Sequence, residues 1–217
     1  MKSGKKVSKF ILGFVKLTGV LPALLFLKPK VYLESNMASR KLPKRAILMS
    51  NHTSLLDFVL YLVLFPFRTI HFLMAEVLFN KGKVFGWFLY KIGGIFVNRD
   101  ACDFSFVDTS LEVLSKKGIV GIFPQGRLPV DGKPFPFKPG IVLVALNTDA
   151  PIIPMYTDGN YSLTKRAHVM IGEPIYISDY TSSGKASDED IQRLTKILEE
   201  KNYELKAKLE ERLNNGK

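Results

Sequence analysis

Cysteine is nearly absent: Cys102 stands alone in 217 residues. No disulfide can form within the chain, and a lone thiol suits a reducing compartment. Histidine is almost as scarce, with three residues, and no Cys/His spacing of the zinc type occurs. There is no G-x-x-x-x-G-K-[ST] loop and no convincing G-x-G-x-x-G, so the two common nucleotide-cradling loops are missing. Acidic residues are in deficit, 20 against 31 basic ones, for a net charge of +11. That surplus favours anionic partners: nucleic acid, acidic lipid or a phosphorylated substrate. Hydrophobic residues make up 47%, which argues against disorder. The length suits one domain, or one domain with an appendage.

What is present begins with a basic and apolar run over residues 1–27. No small-x-small cleavage site follows it, which disfavours a secretory signal. Residues 10–27 nearly reach the ~20 apolar positions needed to cross a bilayer. Lys16 lies mid-run, however, at a cost of roughly 2.5–3.5 kcal/mol at the bilayer centre, and Pro22 interrupts it. In helical projection Lys2, Lys5, Lys9 and Lys16 fall within an arc of roughly 60°, with Val7, Phe10, Phe14, Leu17 and Leu21 on the other side. The expectation is a helix in the membrane interface, its lysines toward anionic head groups and residues 23–27 dipping in. A single spanning helix and an ordinary amphipathic helix packed on the domain are the alternatives. Residues 1–30 are assigned to this membrane-associating segment and 31–217 to the folded domain.

Strands are expected at 46–50, 95–97, 119–123, 152–156 and 167–171. Helices are expected at 55–64, 71–79, 84–92, 104–117 with Gly118 as its C-cap, and from 141 onward. A last amphipathic helix, about 187–213, opens on Ser187-Asp188-Glu189-Asp190, a helix-start signal. This alternation predicts an α/β fold, a single layered domain with helices packed on a mixed, largely parallel sheet. Sites in such sheets gather where strands end and helices begin. Three such places stand out, at 51–57, 93–100 and 123–127.

The first reads Asn51-His52-Thr53-Ser54-Leu55-Leu56-Asp57. On one continuous helix His52 and Asp57 would lie about 140° apart. They meet only if His52 sits in the turn before a helix and Asp57 in its first turn, with Ser54 as N-cap. Ser54-x-x-Asp57 alone is a plain capping pair, but capping does not require His52. A histidine bonded to a carboxylate through one ring nitrogen leaves the other as a base. In the second place Arg99 closes a strand and can grip a phosphate bidentately, or be an exposed ion-pair residue. In the third, Phe123-Pro124-Gln125-Gly126-Arg127 is a tight turn after a buried strand; it is either a second anion contact or a basic surface loop.

Taken in order, these stretches resemble the glycerolipid acyltransferase family, the 1-acylglycerol-3-phosphate acyltransferases. The family's blocks are N-H-x-S-x-x-D, G-x-x-x-x-R, F-P-E-G and a V-P-I-x-P-V-like strand. Here they match Asn51–Asp57, Gly94 with Arg99, Phe123-Pro124-Gln125-Gly126 and Pro151-Ile152-Ile153-Pro154-Met155. Three departures stand out. Gln125 replaces the usual Glu, Arg127 follows Gly126 directly, and Glu76-Val77 stands where relatives commonly carry lysines.

The resemblance implies transfer of a fatty acyl chain from acyl-CoA or acyl carrier protein to 1-acylglycerol 3-phosphate, giving phosphatidate without a cofactor or metal. It implies His52 as general base and Asp57 as its orienting acid. Arg99, Gln125, Gly126 and Arg127 would lie on the substrate side, the arginines on the acceptor phosphate. Backbone amides near Gly126 or the helix start would hold the oxyanion. Membrane phospholipid and lysophospholipid would be the partners, at the cytoplasmic face of the cell membrane, with no role for nucleic acid. Glycerol 3-phosphate or another lyso-lipid is the alternative acceptor, and a non-catalytic anionic-membrane-binding module the alternative class. His71 and His168 carry no partner pattern and are read as structural or surface residues.

Overall fold

The computed structural model describes residues 7–98, 104–181 and 186–215. The chain runs α1 (Lys9–Leu27), β1 (Lys30–Leu33), β2 (Ala46–Ser50), α2 (Leu56–Leu64), β3 (Ile70–Ala75), α3 (Glu76–Phe79), α4 (Lys83–Lys91) and β4 (Ile95–Val97). It continues through α5 (Ser105–Ser115), β5 (Ile119–Ile122), α6 (Gly140–Ala145), β6 (Ile152–Thr157), β7 (His168–Ile171) and α7 (Asp188–Asn214). The strands form one seven-stranded sheet in the order β1-β7-β6-β2-β5-β3-β4. The pairings are parallel except β6 with β7, so the expected mixed, largely parallel sheet is present.

Strand β2 shows why the sheet is built this way. All five of its residues are buried. Ile47 and Met49 pack with Phe106, Ile141, Leu194 and Leu198 on one face. Ala46 and Leu48 pack with Leu27, Leu60 and Tyr61 on the other. A strand covered on both faces reads as a continuous apolar run rather than an alternating one. From β2 the chain fills β3, β4 and β5 on one side and then returns to place β6 on the other. Such a reversal opens a crevice at the carboxyl ends of the central strands. Strands β2, β4, β5 and β6 all end along that edge.

Three expectations are corrected. Residues 70–75 are a strand rather than the start of a helix, with only Glu76–Phe79 helical. Ile70 and Phe72 are buried while His71 and Leu73 are half-buried, the period-2 pattern of a strand. The left-handed residue ending α5 is Lys117 (φ 60°), not Gly118. Strand β1 lies in a stretch assigned no element; its four residues Lys-Val-Tyr-Leu are too few for a period. At the other end of the chain, Ser187 and Asp190 form a capping box at the start of α7. Glu34, after β1, ties that helix to the sheet through Lys201 at 2.8 Å and Lys208 at 2.5 Å.

Helix α1 is capped by Ser8, whose Oγ accepts from the Ile11 amide at 3.3 Å. By length and composition it could cross a membrane. Leu12 and Leu27 are buried against the domain. Lys16 does not face outward with its neighbours: its Nζ donates to the carbonyls of Pro66 (2.8 Å) and Arg68 (2.6 Å) just beyond α2. Cations are favoured at helix C-termini, and this one packs α1 onto α2. Lys2 and Lys5 lie outside the described residues. The outward stripe is apolar instead, made of Phe10, Phe14, Leu17, Leu21 and Leu25, 59–82% exposed.

Candidate active site

The turn between β2 and α2 brings His52 and Asp57 together. His52 Nδ1 lies 2.7 Å from Asp57 Oδ2. The helix begins one residue later than expected, at Leu56. Ser54 Oγ accepts from Leu56 N at 3.2 Å rather than from Asp57 N. The reciprocal half of the capping arrangement is kept, with the Ser54 amide donating to Asp57 Oδ2 at 2.9 Å. The Thr53 amide donates to the same oxygen at 2.6 Å, and Thr53 Oγ1 donates to Oδ1 at 2.8 Å. Asp57 has no exposed side-chain surface. Burial alone would raise its pKa, but hydrogen bonds from His52, the Ser54 amide, Tyr161 and the Thr53 amide outweigh burial and hold it below the usual carboxylate value. An ionised Asp57 accepting from Nδ1 leaves His52 Nε2 as the nitrogen available to a substrate proton.

The imidazole is fixed by its faces as well as its edge. The Phe123 ring stacks on it at 4.4 Å and 12°, and Phe72 stacks in turn on Phe123 at 5.3 Å. Gln125 is buried, and its Oε1 accepts from the His52 amide at 2.5 Å. That contact needs an acceptor but no charge, so Gln fills it as Glu would. Beside Phe123 lies a cavity of about 320 Å³, whose lining includes Leu73, Val97, Phe106, Ile141 and Gly126. Phe123 is the wall it shares with the His52 ring.

The remaining expected residues divide. Gly126 lines the cavity with φ +65°, a conformation glycine adopts without strain. Its amide donates to Phe123 O at 2.9 Å and closes the turn, so it is not a free oxyanion donor. The amides of His52, Thr53, Ser54 and Leu56 are likewise engaged. Arg127 is exposed, its guanidinium 6.0 Å over the Phe135 ring. Arg99 lies outside the described residues; Asn98 before it lines the cavity.

Sequence reasoning passed over two groups. Tyr161, beyond β6, donates its hydroxyl to Asp57 Oδ1, and burial beside that carboxylate pushes its own pKa up. Asn51 clasps β6: its Nδ2 donates to Thr157 O at 2.9 Å and its Oδ1 accepts from Thr157 N at 2.8 Å. The Asn opening the N-H-x-S-x-x-D block was the available signal for the second; a lone tyrosine 104 positions from Asp57 offered none. His168, expected to be unpartnered, has a carboxylate of its own, with Nδ1 2.7 Å from Asp158 Oδ2.

Residues 30–158 match the family model named Acyltransferase, more than half of the chain. A 1-acyl-sn-glycerol-3-phosphate acyltransferase of Bacillus subtilis (strain 168) is 29% identical over 188 residues, 84% of this chain and 90% of the relative. A protein of the same description from Cocos nucifera is 28% identical over 163 residues, and the match spans about half of that longer relative, 51%. The crystal structure of the 1-acyl-sn-glycerophosphate (LPA) acyltransferase of Thermotoga maritima superposes with a TM-score of 0.60 over 95% of this chain and 84% of that one, at 24% identity. That likeness concerns the fold.

Proposed function

The chain belongs to the acyltransferase family, and from that premise we propose that it moves a fatty acyl group from acyl-CoA or acyl carrier protein to the free hydroxyl of 1-acylglycerol 3-phosphate, giving phosphatidate. The observation that carries the reading is the His52–Asp57 pair, held at 2.7 Å at the carboxyl edge of the sheet and separated from an apolar cavity by one shared ring. His52 Nε2 takes the acceptor's hydroxyl proton as its oxygen attacks the thioester carbonyl. The carbon–oxygen bond forms, the carbon–sulfur bond breaks, and the imidazolium returns the proton to the departing thiolate. Asp57 stays ionised, fixes the tautomer and stabilises the imidazolium. Direct attack by the alcohol needs no acyl-enzyme. The apolar cavity suits a fatty chain, and Arg127 and Arg99 bind the acceptor phosphate.

The outward apolar stripe of α1 supports an enzyme lying on the membrane that holds its lipid substrate, at the cytoplasmic face where thioester donors reside. The acceptor is argued from relatives of that description in Bacillus and coconut. Gln125 does not favour another acceptor, because its oxygen braces the His52 amide. A binding module for anionic membranes would have no use for an oriented imidazole. The test is acyl transfer in vesicles carrying lysophosphatidate, with each thioester donor in turn, comparing the native chain with folded His52→Ala. The native chain should make phosphatidate and the variant should lose at least ~10²-fold in rate. Equal rates in both would remove His52 from the mechanism, and no product from either donor would remove this acceptor.

A further inference from the structure

The loop after β6 forms a strap over the catalytic turn. Thr157 is clasped by Asn51 on both its amide and its carbonyl. Gly159 (φ +68°) packs so closely that a Cβ there would lie 2.7 Å from Thr53 Oγ1. Asp158 gathers the Asn160 amide at 3.1 Å, the Asn160 side chain at 2.7 Å and the ring of His168. The strap ends on Tyr161, whose hydroxyl lies 3.3 Å from Thr157 Oγ1 and donates to Asp57.

Among the described residues, Asp57 receives five donors. His52, the Thr53 amide and the Ser54 amide meet Oδ2; Thr53 Oγ1 and Tyr161 meet Oδ1. Four of the five come from the turn itself. Tyr161 is the one, among the described residues, that arrives from elsewhere in the fold. A carboxylate held only by its own turn can rotate with it; one held also from β6 is referred to the sheet. We propose that Tyr161 is a positioning residue of the acyl transfer, its hydroxyl fixing Asp57 Oδ1 so that Oδ2 stays on His52 Nδ1. The proposal rests on the acyltransferase reading above. The phenol also works as a neutral donor that spreads the carboxylate's charge. Besides His52 and Tyr161, Tyr61 is, among the described residues, the titratable group near Asp57, with its hydroxyl on Ser50.

Tyr161→Phe in the full chain removes the donor and keeps the ring. In lysophosphatidate vesicles kcat should fall roughly 10-fold, with KM for the acceptor unchanged. With Asp57 more basic, the acid limb of kcat/KM should move to higher pH. A second readout needs no activity. The hydroxyl favours the ionised carboxylate, so the thermal-stability gap between native and variant should be widest at neutral pH and narrow as pH falls below 3.8, the ordinary aspartate value. A merely structural tyrosine would leave the acid limb in place and give a gap that pH does not change. Either result would overturn the proposal. A native chain that transfers acyl groups to no acceptor would defeat the acyltransferase reading instead, and the stability measurement would still decide whether Tyr161 holds the ionised carboxylate.

Discussion

Among the described residues, two histidine–aspartate pairs have the same contact. Nδ1 to Oδ2 is 2.7 Å in His52–Asp57 and 2.7 Å in His168–Asp158. The imidazoles are similarly screened, 17% and 19% exposed. What differs is the burial of the carboxylate and the place of the pair on the sheet. Asp57 is fully buried at the start of α2, and its pKa is held down by hydrogen bonds that overcome desolvation. Asp158 is 13% exposed, in the segment directly after β6. His52 stands at the carboxyl edge of parallel strands, its face on Phe123 and thereby on the cavity wall. His168 opens β7, the strand antiparallel to β6, beside Tyr32 in a pocket of about 800 Å³ lined also by the charged residues Lys30, Glu210 and Arg212. The proposed mechanism therefore rests not on pair geometry alone but on the position of the pair on the sheet and the dryness of its carboxylate.

Matched substitutions sharpen this contrast. Asp57→Asn should lower kcat by about 10³–10⁴-fold, through loss of the imidazolium's partner and of the right tautomer. It should also cost about 1–3 kcal/mol of stability, because a carboxamide leaves buried donors unmatched. Asp158→Asn should cost only about 1 kcal/mol and move kcat by less than roughly 10-fold. Equal kinetic losses would break the contrast; kinetics and chemical denaturation of the two variants decide it.

Acid should act through Asp57 in a defined direction. Its folded pKa lies below the unfolded value of 3.8, so the unfolded chain binds the proton first. The stability it contributes is complete well above 3.8 and is lost as pH falls through the lower folded pKa. Glu34 follows the same sign: burial raises its pKa, but Lys201 and Lys208 lower it further. The stability of native protein should thus fall from about pH 5 downward, and Asp57→Asn should flatten that fall. A variant whose acid profile parallels the native one would contradict the assignment.

The smallest effects belong to the aromatic neighbours. Phe123→Leu removes a ring stacked at 12° on His52 and should cost about 1 kcal/mol with a several-fold loss of kcat. Tyr32→Leu removes a ring tilted at 44° and 6.1 Å away from His168 and should leave kcat within about twofold.

The same contrast shows what was legible in the sequence. His52 and Asp57 are five residues apart, and a short-range turn rule sufficed to bring them together. His168 and Asp158 are ten apart, across a loop whose path only the antiparallel β6–β7 pairing determines, so the second pair was invisible. Tyr161 is beyond local reasoning for the same reason, at 104 residues from its partner. The α/β class and most strands followed from apolar runs, because the central strands are buried on both faces. Residues 70–75 misled because the strand runs directly into Glu76–Phe79 without a breaker. Lys16 misled because a helical projection shows which side a lysine is on, not that the C-terminal end of another helix waits there.

The most direct test places the two histidines side by side: initial rates of phosphatidate formation by native chain, His52→Ala and His168→Ala, in the same lysophosphatidate vesicles with the same thioester. The account predicts at least ~10²-fold loss for His52→Ala and less than roughly 10-fold for His168→Ala, both with native-like circular dichroism. Comparable losses in the two variants, or a His52→Ala chain as fast as the native one, would contradict it.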